Sequence, residues 1–220
     1  MLLTQRPDGT FVAAPQPAFR ADSLHEDVDA AFFDADGDGA ADLYVVSAGT
    51  EFWSVHEPLR DRLYLNDGRG RFARAPDALP DLRENGGVVA PADFDGDGDT
   101  DLFVGGRVAA REYGVTPRSY LLRNDGAGRF SDVTADVAPE LARAGMVTSA
   151  AWLDAGGDGG PDLVVVGEWM PVRLFRQEDG RLVERTRRAG LEGTEGWWSH
   201  VAAADLTGDG REDLVLGNVG

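Results

Sequence analysis

Asp34, Asp36, Asp38 and Asp42 lie within nine residues of one another in the segment DADGDGAADL, residues 34–43. Carboxylates at the first, third and fifth positions of a tight loop converge when the backbone wraps around a point. Glycine at the sixth position (Gly39) permits the sharp turn that a side chain would obstruct. The carbonyl of Ala40 at position seven and the carboxylate of Asp42 at position nine complete an oxygen cage. Hard oxygen ligands in this number suit calcium, whereas magnesium takes fewer protein ligands and more water. With no cation, each pair of crowded carboxylates costs on the order of 1–4 kcal/mol at dielectrics between those of water and a protein surface.

The pattern recurs at residues 93–102 (DFDGDGDTDL), 154–163 (DAGGDGGPDL) and 205–214 (DLTGDGREDL), with first aspartates 59, 61 and 51 residues apart. The copies are unequal. The second has Asp93, Asp95, Asp97 and Asp101, with Asp99 at position seven. The fourth has Thr207 at position three, leaving Asp205, Asp209 and Asp213, and a hydroxyl or a water would make a weaker cage. The third has Gly156 there, so Asp154, Asp158 and Asp162 form a degraded site. Polar turns alone would explain one such segment, but not four with the same Asp-Leu ending and flanks. An EF-hand loop is excluded, because position twelve carries Val45, Val104, Val165 and Leu216 instead of glutamate.

The flanking runs are four to eight residues long, rich in Val, Phe and Leu, and bounded by Gly/Asp clusters, so they predict strands. A second motif interleaves with the first: LYLNDGRGRF at 63–72, LLRNDGAGRF at 121–130, the weaker LFRQEDGRL at 174–182 and LLTQRPDGTF at 2–11. Asn-Asp-Gly between apolar runs signals a tight hairpin. One unit therefore reads as four antiparallel strands in some 50–60 residues, about one propeller blade. The expectation is an all-β propeller or propeller fragment of about four repeats. Complete blades span about 28–75, 87–135 and 146–186, with half-blades at 1–13 and 199–220. A short helical turn is expected in the connector 136–145.

With both motifs in place, the chain resembles the FG-GAP or VCBS repeat family, whose unit also builds the propeller of integrin alpha subunits. The segments DRLYLNDGRGRF (61–72), RSYLLRNDGAGRF (118–130), GEWMP (167–171) and GWWS (196–199) look like a bacterial branch of that family. The resemblance implies calcium at the positions already named, in loops that rigidify a blade rather than perform chemistry. Gly156 and Thr207 depart from the family's usual Asp or Asn. Members of this branch are usually longer and are secreted or envelope-associated. The chain ends in mid-strand by the family pattern, so a fragment is expected. Alternatively, the half-units at its two ends would pair and close a four-bladed ring.

Composition narrows the partners. Thirty-nine acidic residues face 21 basic ones, all arginine, for a net charge of −18. That charge disfavours nucleic acid and anionic membrane surfaces. The four loops hold 16 of the acids, so much of the acidity is site chemistry; the remainder fits a solvated, halophile-type surface. No cysteine is present, which removes disulfides, thiolate metal sites and cysteine nucleophiles. No apolar run reaches the ~18–20 residues of a membrane span, and residues 1–11 do not read as a signal peptide.

Other candidate chemistry is sparser. His25, His56 and His200 fall in different units, and no nucleophile elbow is present. Trp197, Trp198, Ser199 and His200 suggest a sugar platform, against the plainer reading that the tryptophans pack between blades. Glu168 and Trp169 follow a strand and would line a channel. The loop 47–60, with Phe52, Trp53 and His56, has the length of a binding loop. Two functions remain. The preferred one is a non-enzymatic, calcium-dependent scaffold, extracellular, periplasmic or envelope-associated, for a protein or carbohydrate ligand. The alternative is the propeller of a polysaccharide-active enzyme such as a lyase, which would need a clustered Lys/Arg/His/Tyr base that the sequence does not offer.

Overall fold

Short Val-, Leu- and Phe-rich runs punctuated by Asp-Gly turns favour extended chain. The computed structural model describes residues 1–49, 57–82, 84–109 and 112–219 and is built mainly of antiparallel strands. A hairpin of β1 (Leu2–Gln5) and β2 (Phe11–Ala14) leads through the one-turn helix α1 (Pro17–Ala21) into the first complete blade. That blade orders β3 (Glu26–Phe33), β4 (Asp42–Ala48), β5 (Arg62–Asn66) and β6 (Phe72–Arg74) from one edge of its sheet to the other. The second repeats this with β7 (Asn85–Ala92), β8 (Asp101–Val108), β9 (Tyr120–Asn124) and β10 (Phe130–Asp132). The connector that follows contains the short helix α2 (Thr134–Val137) and a 3₁₀ turn at Leu141–Arg143. The third blade comprises β11 (Met146–Leu153), β12 (Asp162–Met170), β13 (Arg173–Glu178) and β14 (Arg181–Glu184), and β15 (Gly196–Ala204) and β16 (Asp213–Asn218) follow as a pair. The all-β, bladed expectation holds.

Side chains alternate across a strand, and here the alternation divides each strand between two interfaces. On β4, Leu43 and Val45 face Leu2, Ala18 and Phe19 of the preceding hairpin and α1. Tyr44 and Val46 face the other way, onto Val89, Leu102 and Val104 of the second blade. On β12, Leu163 and Val165 pack toward Phe103 and Leu121, while Val164 and Val166 pack toward Val201 and Leu216. A strand buried on both faces needs a continuous apolar run, and LYVV and LVVV supply it. Each fully buried side chain of this size contributes about 1.5–3 kcal/mol.

The ends differ from the middle. Phe32 of β3 and Val215 of β16 are more than half exposed on faces that no further blade covers among the described residues. Among the described residues the hairpin β1–β2 pairs only with itself and no sheet is closed, so they do not form the four-bladed ring. One pairing was not legible beforehand. The far end of β12 bonds to β15 through Glu168↔Trp197 and Met170↔Gly196, across a bulge, joining six strands into one sheet. Among the described residues no helix is long and apolar enough to cross a membrane.

Candidate metal centres

All four aspartate loops connect the first two strands of a repeat and share one backbone solution. The first aspartate accepts N–H bonds from the glycines at positions four and six. Asp34 does so from Gly37 (2.9 Å) and Gly39 (2.8 Å), and Asp93 from Gly96 (2.7 Å) and Gly98 (2.9 Å). Asp154 and Asp205 make the same pairs with Gly157 and Gly159 and with Gly208 and Gly210. Gly39 (φ 85°) and Gly98 (φ 96°) occupy the left-handed region, which explains the glycine at position six. The loop shape therefore persists in the third and fourth copies, where the second acid is missing.

The ninth-position aspartate is the structural hub of each complete blade. Asp42, fully buried, accepts the Ala35 N–H (2.8 Å) from the loop and the Asn66 N–H (2.7 Å) from β5. Asp101, equally buried, accepts from Phe94 (3.2 Å) and from Asn124 of β9 (2.8 Å). Asp162 accepts from Gln177 of β13 (2.8 Å). Asp213 accepts the Leu206 N–H (3.2 Å). Asp42, Asp101 and Asp162 thus tie the loop region to the third strand of the blade whether or not an ion is present.

Only the first two loops, among the described residues, gather acids as an ion requires. Asp34, Asp36 and Asp42 each offer an oxygen within 4.8 Å of the others, and so do Asp93, Asp95 and Asp101. Asp95 Oδ1 is buried and has no hydrogen-bond donor, while Oδ2 lies 2.7 Å from Arg123 Nε as an ion pair rather than an aligned hydrogen bond. A buried acceptor with no donor, inside a group of three carboxylates, fits a hard cation. Position five stands further out. Asp38 and Asp97 are exposed and accept the N–H groups of Ala40 (2.7 Å) and Asp99 (3.0 Å). The Asp99 carboxylate lies against Gly126 of the neighbouring hairpin, away from the group.

The third loop solves its charge problem internally. Arg176 of β13 places Nη2 2.8 Å from Asp158 Oδ2 and Nε 3.2 Å from Asp162 Oδ2. A Cβ at Gly156 would lie 1.6 Å from Arg176 Nη2, so the guanidinium fills the space a third-position side chain would take. Arg176 is the cation of this loop. In the fourth loop Asp205, Thr207 and Asp209 are exposed; Asp209 accepts the Arg211 N–H (2.9 Å), and no acidic group of the compact kind forms.

Burial, opposed by its N–H bonds to Asn124 and Phe94 and aided by Asp95 and Asp97, pushes the Asp101 carboxyl up to about 7. Burial likewise raises Asp42. A proton on Asp101 competes with any ion, since a ligand carboxyl must be ionised. Metal affinity at the second loop is therefore expected to fall by up to about tenfold per pH unit below pH 7 and to level off above it. Calorimetric titrations at pH 5.5, 6.5 and 7.5 check this, and a flat profile would contradict it.

Of the remaining candidates, His25 and His200 lie in different sheets' surroundings and share no site, and Phe52, Trp53 and His56 lie outside the described residues. Arg123 and Arg176 escaped the sequence reading, although both stand at the same place in the hairpin motif, where the first blade has Leu65. A comparison with curated proteins returns no match. The FG-GAP-like repeat, by contrast, matches residues 47–104 and 154–216, more than half of the chain and two stretches that carry the second, third and fourth aspartate loops. With repeated four-stranded blades, each carrying an aspartate loop between its first two strands, the chain belongs to the FG-GAP-like repeat family.

Proposed function

We propose that this repeat module is a non-enzymatic interaction scaffold stiffened by calcium, working in the periplasm, the cell envelope or the extracellular space. The observation that carries the reading is the pair of acidic groups around buried Asp42 and Asp101. An ion there joins the loop to the third strand through the same carboxylates that already accept its N–H groups. It also braces the junction between blades, because Asn124 of the second blade donates Nδ2–H to Ala35 O inside the first loop (2.9 Å). Loops of this kind bind calcium at ~10⁻⁴–10⁻³ M in extracellular modules, which suits an exported setting.

Calcium at about one hundred times its dissociation constant adds about 2.7 kcal/mol per site, or roughly 5–10 °C in a domain of this size. Thermal unfolding of chelator-treated protein with and without calcium tests this, with magnesium expected to give a smaller shift. An unchanged midpoint would remove calcium from the reading. Uronic-acid polymers incubated with the calcium-loaded protein are expected to remain intact; unsaturated product would establish a lyase instead.

A further inference from the structure

We propose that Trp169 and Trp197 form a binding platform for a neutral, hexose-based oligosaccharide, on the side of the blades opposite the aspartate loops. The inference rests on the scaffold reading and gives it a ligand class. β12 starts at the third aspartate loop and ends at Met170, so Trp169 lies about 20 Å along the strand from that loop.

Three repeats supply the site. Trp169 follows buried Glu168 on β12, and Trp197 is carried opposite by β15, through the pairing Glu168↔Trp197. The two indoles lie 5.2 Å apart between centroids and are tilted by 34°. From the second blade, Tyr113 donates its hydroxyl to Glu168 Oε2 (2.6 Å), and Arg107 donates from Nε and Nη2 to Oε1 (3.1 and 2.9 Å). Trp169 Nε1 in turn donates to the Tyr113 hydroxyl (3.1 Å). Both Glu168 oxygens are engaged, so this carboxylate orients Arg107 and Tyr113.

Three observations separate this pair from ordinary packing. First, Trp169 is 65% exposed and Trp197 38%, whereas Trp198 turns inward, packs between blades and bonds its Nε1 to Thr194 O (3.0 Å). Trp198 satisfies the plain packing role; the other two do not. Second, Trp169 has φ 58°, a left-handed conformation that is costly for a bulky residue and is retained where the surroundings enforce it. The conformation turns the indole out of the strand register instead of burying it. Third, the ring is fixed by its hydrogen bond to Tyr113, so a ligand meets a platform that is already ordered.

A flat, rigid indole with polar groups at its edge matches a pyranose, whose ring faces are C–H and whose rim is hydroxyl. Arg107 is about half exposed, and its Nη1 is not used by the ion pair with Glu168. The net charge of −18 repels acidic polymers and favours a neutral sugar. A proline-rich peptide would instead need a groove between aromatic ridges, and two indoles with centroids only 5.2 Å apart leave no groove between them.

The test is titration of the calcium-loaded chain with cellohexaose, laminarihexaose, mannohexaose and maltohexaose, followed by calorimetry and tryptophan fluorescence. At least one is expected to saturate with a single site. Trp169→Gly is expected to weaken it at least about tenfold, with an equal or higher unfolding midpoint, since glycine accepts the positive φ. No saturation at millimolar sugar, unchanged binding by Trp169→Gly, or binding of decaproline in place of the sugars would each overturn the platform. A calcium-dependent thermal shift that persists alongside such a failure would leave the scaffold reading standing.

Discussion

Asp101→Ala is expected to destabilise the protein by roughly 3–5 kcal/mol even in chelator, and to abolish ion binding at the second loop. The carboxylate accepts two backbone N–H groups, from Phe94 and Asn124, in a fully buried position. Removing it leaves both donors without a partner, at about 1–3 kcal/mol each. That is a large share of the ~5–15 kcal/mol that holds a domain together. Asp97→Ala provides the contrast. Its exposed side chain accepts one loop N–H, so the metal-free protein should change by less than about 1 kcal/mol. Asp101→Ala is expected to lose calcium at that loop and Asp97→Ala, outside the compact group, to weaken it, and only the first to unfold early in chelator. Urea unfolding with and without calcium separates them; equal effects in chelator would contradict the hub role of position nine.

The second large effect concerns the third loop. Arg176→Leu is expected to destabilise the metal-free protein, because Asp154, Asp158 and Asp162 would then share a loop with no cation. Gly156→Asp combined with Arg176→Leu is expected to create a calcium site, restoring the third-position acid and vacating the space the guanidinium fills. Gly156 lacks the left-handed φ of Gly157 and Gly159, so a side chain there meets no backbone penalty. Gly156→Asp alone should gain no ion, since the new carboxylate would pair with Arg176. Calorimetric stoichiometry of the three variants checks the set. An ion bound by the wild-type third loop would show that Arg176 does not replace it.

The repeats and their strands were legible because each depends on neighbours in sequence: apolar runs, Asp-Gly turns and the glycine at position six. The distribution of Leu43 and Tyr44, or of Leu163 and Val164, onto opposite interfaces follows from strand alternation, and LYVV and LVVV announce strands buried on both faces. What escaped the sequence was set by contacts across repeats. Arg176 reaches its loop from a hairpin 18 residues beyond Asp158. The division of labour between Trp197 and Trp198 depends on β12 bonding to β15 past a bulge, and no local pattern encodes that pairing. The carboxylates at position nine read as ligands, but their N–H partners on the third strand show them to be the joints of each blade as well.

Calcium titration of chelator-stripped protein by isothermal calorimetry bears most directly on the central claim. Two sites are expected, at the first and second loops, with a weaker contribution from the fourth and none from the third. The first-loop site is expected to survive Asp97→Ala. No saturable binding at millimolar calcium, or four equivalent sites, would contradict it.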